Sequence, residues 1–411
     1  MSKRIMIVGA GYEQFPIIKR AKDRGMYVIA VDKNPDAYGF KYANEHHLIS
    51  TVDHKRILDL ATKKKVDAIT SMITETPLRS IYEVGKELGL PSPSLSSVLA
   101  SQSKYKMREY FKKNNIQNPK YIHATSINDG MTAAYEIGFP LVIKPTDKGG
   151  QVGLFKINSR EQLSDEVIGQ AIESSNKGEI IIEEFIEGDE INVVSLILNG
   201  QVVKTIASDR IKHKDKSFGV VLRHLYPCEN YNKHIGEIKN ICQKIADTLS
   251  IKNGIIFPQM IKGEDGLSVI EVGERIPGGI MKEVFEFATG YNLIDLQLDI
   301  SLGEEIKLPN YKVFEEHPAI TVKFLTADPG ELDEGMLCSI SGEENLSQME
   351  VVKQFGFFQD PRNTRIRPLR NGSDRFYYIV CSGLDRDDAI KNSEVASNLL
   401  HFNIDTEVVN E

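Results

Sequence analysis

A glycine-rich loop between two predicted strands is the part of this sequence best suited to holding phosphate. The stretch FPLVIKPTDKGGQVGLFKI puts Lys144 on the first strand and Gly149, Gly150 and Gly153 in the loop that follows. Glycine lets backbone N–H groups approach an anion closely, and Lys148 adds a positive charge. Because the Walker A pattern is absent and strands flank the loop, we expect a flexible β-hairpin to cover the phosphates. The alternative is a surface hairpin with solvated lysines.

The segment EIIIEEFIEGDEINV could hold the base and the sugar of a nucleotide. Its apolar run at residues 180–182 is followed by residues 183–186 and then by Glu190. An extended chain can offer main-chain N–H and C=O groups to the edge of adenine, with a carboxylate close by for the ribose hydroxyls. A bare strand with alternating charges is the other interpretation.

Oxygen ligands for a divalent cation are predicted on two neighbouring strands. In GIIFPQMIKGEDGLSVIEVGERIPGG, the turn KGEDG brings Gln259 and Glu271 side by side. One or two protein oxygens, completed by ATP phosphates and water, suit Mg²⁺. Arg275 follows Glu271 closely and is placed to stabilise charge on a transferring phosphoryl group.

These motifs, in this order and at this spacing, resemble the ATP-grasp superfamily of carboxylate-activating ligases, and the resemblance covers nearly the whole chain. By motif the sequence is similar to the glycinamide-ribonucleotide transformylase and synthetase, biotin carboxylase and L-amino-acid ligase types. The resemblance implies that Arg275 and Lys144 are catalytic, that Glu271 and Gln259 bind the metal, and that Glu75, Arg367 and Arg375 contact substrate. It assigns these residues to ATP binding: Lys104, Lys144, Lys148, Gly149, Gly150, Gln151, Gly153, Glu183, Glu184, Phe185, Ile186 and Glu190.

The sequence departs from the pattern of the family at several positions. The first metal ligand, often Glu in the family, is Gln259, and the usual Asn of the second metal-binding strand is Gly273. The loss of that Asn resembles the amino-acid ligase branch. Gly278 replaces an acidic substrate-binding residue of the transformylase, and Asp374 replaces a basic one.

The elements that must position these residues change in character along the chain. The N-terminal part alternates short β-rich runs with helical patterns, which is typical of βαβ units and a parallel sheet. A Pro- and Ser-rich stretch at residues 90–103 marks a boundary. Strands dominate from Phe139 onward, with Asn199-Gly200 as the strongest two-residue turn signal.

Together with the resemblance, this pattern predicts a multidomain protein of the α/β and α+β classes. We expect an N-terminal, Rossmann-like, parallel-sheet pre-ATP-grasp domain at residues 1–92 and an ATP-grasp domain at residues 93–310. Its β-hairpin lid sub-domain should cover about residues 118–186. A small C-terminal α+β domain is predicted at residues 311–411.

A partial dinucleotide-binding fingerprint lies near the N-terminus. Gly9 and Gly11 follow the first predicted strand and Asp32 ends the second, but Gln14 stands where the third glycine is required. We interpret this turn as a tight strand–helix connection and leave open whether it contacts a small substrate.

Composition limits the class of protein further. The 411 residues are more than one core usually organises, and 41% hydrophobic with 26% charged residues is ordinary for a soluble chain. The formal net charge of −8 argues against a general nucleic-acid binder. No apolar run reaches the length of a membrane span, and four scattered cysteines predict neither a zinc site nor a dense disulfide framework. We therefore expect a cytoplasmic protein without nucleic-acid or membrane partners.

The predicted function is an ATP-dependent carboxylate–amine ligase that works through an acyl phosphate with ATP and Mg²⁺ (or Mn²⁺). Its partners would be a small-molecule carboxylate and an amine, with a homodimer possible, as in similar enzymes. A bicarbonate-activating carboxylase or carbamoyl-phosphate-type enzyme would keep the same fold. An inactive ATP-binding protein and an NAD-dependent oxidoreductase are two further hypotheses.

Overall fold

The computed structural model describes residues 2–149, 152–212, 220–308 and 319–407. In this part of the chain the strands form four sheets, with helices packed between and around them. A parallel sheet comes first and antiparallel sheets follow, so the predicted α/β and α+β class is confirmed.

The N-terminal sheet has four parallel strands in the order β3-β2-β1-β4. Sequences such as RIMIV and YVIAVD are buried along most of their length, as strands covered by helices on both faces require. The strands are β1 Arg4–Val8, β2 Tyr27–Asp32, β3 Glu45–Leu48 and β4 Ala68–Thr70. The helices are α1 Phe15–Asp23, α2 His54–Lys64 and α3 Leu78–Leu88.

The turn after β1 is held by the acid that ends β2. The Asp32 carboxylate accepts the Ala10 N–H at 2.8 Å and the Asn34 N–H at 2.9 Å. Gly9 has φ +100°, a value that glycine adopts without strain. Asp32 therefore stabilises the turn itself, which is the structural role we predicted for this motif.

The Pro- and Ser-rich boundary contains a helix, which the sequence analysis did not foresee. Ser94 accepts the Ser97 N–H at the start of α4 Leu95–Gln102, and Ser103 accepts the Lys106 N–H at the start of α5 Lys104–Lys113. Serine is a strong N-cap, so this Ser-rich stretch starts two helices instead of forming a loop.

The lid is a four-stranded antiparallel sheet in the order β5-β8-β6-β7. Its strands are β5 Tyr121–Ala124, β6 Leu141–Pro145, β7 Phe155–Ile157 and β8 Ile180–Glu184, and its helices are α6 Ile127–Ile137 and α7 Asp165–Ser174. Apolar side chains of the sheet and these helices form a separate hydrophobic cluster.

The largest sheet has eight strands in the order β13-β12-β9-β10-β11-β14-β18-β16. Asn199 (φ +52°) and Gly200 (φ +76°) form the tight turn between β9 and β10, so the predicted hairpin is confirmed. The first part of the sheet and its helices are β9 Asp189–Leu198, β10 Gln201–Lys212, β11 Val221–Tyr226, α8 Tyr231–Thr248, β12 Gly254–Gly263, β13 Gly266–Glu274, α9 Met281–Thr289 and α10 Leu293–Leu302.

The C-terminal part of the chain contributes strands to two different sheets. Strands β14, β16 and β18 extend the eight-stranded sheet, whereas β17, β15 and β19 form a small sheet of their own. The elements are β14 Ala319–Leu325, β15 Gly335–Ser341, α11 Glu343–Gln348, β16 Val352–Phe357, β17 Arg365–Ile366, β18 Tyr377–Gly383, α12 Arg386–Ser397 and β19 His401–Asp405. Short 3₁₀ helices lie at Tyr38–Tyr42, Arg160–Gln162 and Gly372–Asp374.

One hydrophobic core joins the N-terminal sheet to the eight-stranded sheet. It includes Ile5 and Ile7 of β1, Val194 of β9, Phe285 of α9 and Val322 of β14. Ion pairs from α1 to α10 add to the contact, with Arg20 on Asp295 at 2.6 Å. This shared core fixes two of the three walls of the cleft described next.

Candidate functional site

A cleft opens where the N-terminal sheet, the lid sheet and one face of the eight-stranded sheet meet. Lys144 of β6 and Glu271 of β13 line the same cavity, as the ligase hypothesis requires. The cleft continues past Glu75 towards the turn after β1, where Gly11 is part of its wall. The predicted site residues that line it are Lys104, Lys144, Lys148, Gly149, Glu183, Glu184, Phe185, Ile186, Glu190, Gln259, Glu271, Glu75, Arg275 and Arg375.

At the lid, Lys144 is held by a buried ion cluster. Its Nζ lies 2.7 Å from Glu183 Oε2, while Arg108 Nε donates to Glu183 Oε1 at 2.8 Å. Burial favours the neutral acid, but Arg108 and Lys144 outweigh it and hold the pKa of Glu183 below its usual value. Both oxygens of the Glu183 carboxylate are engaged in this cluster, so Glu183 positions Lys144, and its contact with adenine stays a prediction.

Arg108 also fastens the lid to the eight-stranded sheet. Its guanidinium donates to the carbonyl oxygens of Val269 at 3.4 Å and Ile270 at 2.7 Å. The side chain is completely buried. The sequence analysis missed Arg108, because a helical arginine gives no local signal of partners on two distant strands.

The segment after β8 offers one free donor to a base. The Glu184 N–H is bonded to the Lys120 carbonyl and the Phe185 N–H to the Pro140 carbonyl. In the part of the chain that the structure describes, the Ile186 N–H makes no hydrogen bond. Of the main-chain donors predicted here, this is the one available to an adenine ring.

The glycine loop is described only at its two ends, since Gly150 and Gln151 lie outside the described residues. Gly149 lines the cleft, and Lys148 Nζ donates to Asn176 at 2.7 Å. Gly153 has φ +66°, and a Cβ there would lie 2.5 Å from the Ser174 Cβ. Gly153 is thus required for packing against α7.

The predicted pairing of Gln259 with Glu271 on neighbouring strands is confirmed. Lys104 Nζ lies 3.2 Å from Glu271 Oε1 and donates to the Lys148 carbonyl at 2.6 Å. Burial alone would raise the pKa of Glu271, but Lys104, Lys144 and Arg275 lower it below its usual value. Glu271 is therefore a carboxylate anion facing the cleft.

This donor set suits Mg²⁺ that takes most of its ligands from phosphate and water. The structure shows one carboxylate, Glu271, beside one amide oxygen, that of Gln259, which accepts a hydrogen bond from Arg210. Across residues 2–149, 152–212, 220–308 and 319–407, no group of three or more His, Cys, Asp or Glu side chains could hold a metal. A metal bound by protein alone is not expected here.

Strand β10 supplies two cations that the sequence analysis overlooked. Arg210 Nε lies 3.5 Å from Glu190 Oε2, and Lys212 Nζ contacts the other oxygen of Glu190. Arg210 and Lys212 are two positions apart, so they share one face of the strand. The two cations alternate along a strand that pairs with the strand of Glu190, the predicted ribose-binding residue. The sequence therefore did contain a signal for them.

At the far end of the cleft, Arg275 is fixed by Glu75. Arg275 Nε donates to Glu75 Oε1 at 2.6 Å. A Cβ at Gly273 would lie 2.8 Å from the same oxygen. The glycine that replaces the usual Asn of the family therefore makes room for this ion pair, and Glu75 positions Arg275.

Arg375 also lines the cleft, where it is stacked between aromatic rings. Its Cζ lies 4.4 Å from the ring centre of Phe324 and 4.5 Å from that of Phe358. Its Nε donates to the Gly372 carbonyl at 3.0 Å, and no carboxylate among the described residues forms an ion pair with it. Burial, with Arg210 nearby, lowers its pKa to about 10. Arg375 is a cation in need of an anionic ligand.

The structure does not bring Arg367 to this cleft. Arg367 lies after β17, where it lines a separate small cavity with Glu334 and Met336 of the C-terminal region. The resemblance implied a common role for Arg367 and Arg375, but the intervening 3₁₀ turn separates them, and only Arg375 lines the cleft. Arg367 is therefore not expected to contact a substrate in the cleft.

Comparison with known proteins agrees with this geometry. Residues 137–283 match the model of the ATP-grasp domain. The match covers part of the ATP-grasp region predicted from the motifs, and the resemblance to that superfamily is confirmed. Among the described residues, no helix is both long and apolar enough to cross a membrane.

Two relatives match most of this chain. A carbamoyl phosphate synthase large chain from Caldanaerobacter subterraneus subsp. tengcongensis is 25% identical over 313 residues, which are 74% of this chain and 28% of that protein. The chain spans less than a third of that relative. A 3-methyl-D-ornithine–L-lysine ligase from Methanosarcina acetivorans is 25% identical over 395 residues, 94% of each chain.

A solved structure matches over the full length. Phosphoribosylglycinamide synthetase from Anaerococcus prevotii has a TM-score of 0.80 at 19% identity, covering 98% of this chain and 100% of that one. At this level of identity the likeness establishes a shared fold. The N-terminal sheet, the lid and the C-terminal region of this chain all belong to that common architecture.

Proposed function

We propose that the protein is an ATP-dependent ligase that joins a carboxylate to an amine through an acyl phosphate. The observation that carries the proposal is the shared cleft, with Lys144 and Glu271 at one end and Arg275 and Arg375 at the other. A nucleotide whose phosphates run from the first pair towards the second would present its γ-phosphate beside two guanidinium groups. A substrate carboxylate could be held there.

The nucleotide contacts are assigned from the same geometry. Lys104, Lys144 and Lys148 would neutralise the phosphates, and the Gly149 end of the loop would close over them. The Ile186 N–H would bind the adenine edge. Glu190, presented by β9, would hold the ribose.

Glu271, with the amide oxygen of Gln259, would hold Mg²⁺, for which Mn²⁺ could substitute. When bound, the ion supplies positive charge to the phosphates of ATP. Lys104 contacts the same carboxylate, Glu271, that would bind the ion. With the ion bound, the ammonium group of Lys104 would turn towards phosphate. The protein's own contribution is to hold the phosphates, the carboxylate and the amine in one dry site.

The proposed reaction has two displacements. A carboxylate oxygen attacks the γ-phosphorus, the bond to the β,γ-bridging oxygen breaks, and ADP leaves. The amine nitrogen then attacks the acyl carbon, the bond to the phosphate oxygen breaks, phosphate leaves, and the nitrogen loses a proton. Arg275, locked by Glu75, and Arg375 would stabilise the charge on the acyl phosphate.

The test is ADP release from MgATP, measured with a panel of carboxylates and amines. Turnover should require a carboxylate, and Glu271→Gln and Lys144→Met should each lower it by about a hundredfold or more. Exposed neighbours on α3 provide matched controls, Glu87→Gln and Lys86→Met, which should keep full activity. Undiminished turnover in a folded Glu271→Gln protein would refute the assignment.

A bicarbonate-activating enzyme is the second candidate, favoured by the match to carbamoyl phosphate synthase large chains over 74% of this chain. Bicarbonate alone should then stimulate ATP cleavage, without any organic carboxylate. An inactive ATP-binding protein would instead bind ATP tightly and turn over nothing in the panel. The same ADP-release assay distinguishes the carboxylate–amine ligase, the bicarbonate-activating enzyme and the inactive ATP-binding protein.

We further propose a cytoplasmic location, small-molecule partners only, and a homodimer. Cys228, Cys242, Cys338 and Cys381 are all free thiols, which suits a reducing compartment. The net charge of −8 disfavours nucleic acid. Light scattering of the purified chain tests the dimer.

A further inference from the structure

We propose that a cavity beside the cleft is the pocket for an amino-acid substrate whose side chain ends in an ammonium group. The cavity, named here the side pocket, is enclosed by the turn after β1, the start of α9, and strands β16 and β18. This proposal rests on the proposed ligase function and specifies the substrate class. The walls of the side pocket, its charges and its relation to Arg375 each support the proposal.

The side pocket is continuous with the reaction cleft. Its volume is about 320 Å³, within the range of small-molecule sites. Tyr12, Glu13, Gly278, Gly279 and Phe358 line both spaces. A Cβ at Gly278 would lie 3.2 Å from Ile73 and 3.6 Å from the Glu13 carboxylate, so the glycine keeps the passage open.

The walls are aromatic and suit a chain of methylene groups. Tyr12, Phe15, Phe357, Phe358 and Tyr378 all line the side pocket. Such rings bury apolar surface and also attract a cation placed over their faces. The walls therefore favour a flexible aliphatic chain that carries a positive end group.

The charges in the side pocket are unbalanced. Its charged lining residues are Glu13, Lys282, Glu283 and Glu286, three carboxylates against one ammonium group. Lys282 is already in contact with Glu283 Oε1. Glu283 is 6% exposed and its Oε2 has no hydrogen-bond partner among the described residues.

The two other acids are also available to a ligand. Among the described residues, the Glu286 carboxylate accepts one hydrogen bond, from Asn292 Nδ2 at 2.9 Å. Glu13 stands at the passage, and within the described ranges it forms neither a hydrogen bond nor an ion pair. The lining of the side pocket thus carries a net negative charge that a bound ammonium group would offset, while Arg375 and Arg275 act on Glu13 from the cleft side.

Arg375 completes the pattern from the cleft side. It lacks a carboxylate partner among the described residues, and Glu13 lies close enough to interact with it electrostatically. An α-carboxylate at Arg375 and a side-chain ammonium beyond Glu13 would satisfy both unpaired charges with one molecule. A neutral side chain would leave these acids without that partner, and the cost is largest at Glu283, the buried one.

Calorimetric binding to the full chain tests this directly, without relying on turnover. The probes are lysine and ornithine, in L and D forms, against norleucine as the neutral analogue and glutamate as the anionic one. The better enantiomer of lysine should bind at least about tenfold tighter than norleucine, as hydrogen bonds to a charged group imply. Norleucine binding equal to lysine, or a preference for glutamate, would overturn the proposal.

Variants locate the site of the effect. Glu13→Gln and Glu286→Gln should each weaken lysine binding by about tenfold or more and leave norleucine unchanged. Glu87→Gln, an exposed acid on α3, is the matched control and should not alter either. Glu13 is exposed, so its variant should fold normally. Full lysine affinity in Glu13→Gln and Glu286→Gln would place the ligand elsewhere.

The two proposals fail in different ways. If lysine binds selectively and no carboxylate–amine pair releases ADP, the ligase function is wrong, and the side pocket binds such amino acids in another role. If ADP release depends on neutral or acidic substrates and lysine does not bind, the ligase function stands and the side-pocket assignment is wrong.

Discussion

The proposed nucleotide end and the proposed substrate end of the cleft differ in how their charges are paired. At the nucleotide end, Lys144, Glu183 and Arg108 form a closed cluster, and Lys104 contacts Glu271. At the substrate end, Arg275 is paired with Glu75, but Arg375 has no ion-pair partner among the described residues. The charges of the first region are paired before any ligand arrives, whereas the second region keeps one unpaired arginine.

This difference indicates how the two ends contribute to binding. A cluster that is already paired holds Lys144 in position, so little side-chain freedom is lost when phosphate binds. An unpaired arginine costs stability in the free protein and recovers it when an anion binds. Under the proposed function, phosphate binding is built in at one end, and the choice of substrate depends on the other.

The largest expected effect comes from breaking the closed cluster. Glu183→Gln would leave Lys144 and Arg108 buried without a counterion, which should lower the free energy of unfolding by about 3–5 kcal/mol. Chemical denaturation followed by circular dichroism measures it. Glu184→Gln, on the next residue with a more exposed side chain, should cost far less; equal losses in the two variants would contradict the distinction.

An intermediate effect on stability is expected from Glu274, which lies on the face of β13 opposite to that of Glu271. Glu274 is buried and its Oε2 makes no hydrogen bond among the described residues, and burial raises its pKa to about 7. The folded protein therefore keeps a proton that the unfolded chain releases above its usual pKa of 4.5. Stability is lost as the pH rises from about 4.5 to about 7.

Glu274→Gln removes this titration. The variant should gain stability relative to the parent as the pH rises through that window, by at most about 3 kcal/mol at pH 8. Thermal unfolding at pH 5 and pH 8 measures the difference, with Glu87→Gln as the control. A gain that is the same at both pH values would show that Glu274 ionises normally.

The smallest effect on stability is expected at the substrate end. Arg375→Leu removes an unpaired cation and two stacking contacts, so the free energy of unfolding should change by about 1 kcal/mol or less. Turnover should nevertheless fall by about tenfold or more, because the carboxylate loses a charged hydrogen-bond donor. A large loss of stability would mean that Arg375 has a structural role and would erase the contrast with Glu183.

The parts of the site that the sequence predicted correctly are local. Gln259 and Glu271 are joined by a short turn, so strand alternation and turn chemistry were sufficient to pair them. The hairpin at Asn199 was predictable for the same reason. The parallel N-terminal sheet followed from the alternation of strand and helix patterns.

The parts that escaped prediction depend on distant partners. The buried cluster of Glu183 with Arg108 and Lys144 was not predicted, because Arg108 is far away in sequence. Gly273 was noted only as a missing amide, and the reason for the glycine is the Glu75 side chain from the N-terminal part of the chain. Arg367 shared the expected motif with Arg375, and only the path of the chain between them separates the two.

The attachment of the lid determines how the cleft can open. The lid sheet has its own hydrophobic core, and Arg108 ties its central strand β8 to the carbonyl groups of Val269 and Ile270. Strand β7, at the edge of that sheet, lies two strands away from this tie. We expect the lid to open by rotation about β8, with the loop end at Gly149 making the largest displacement.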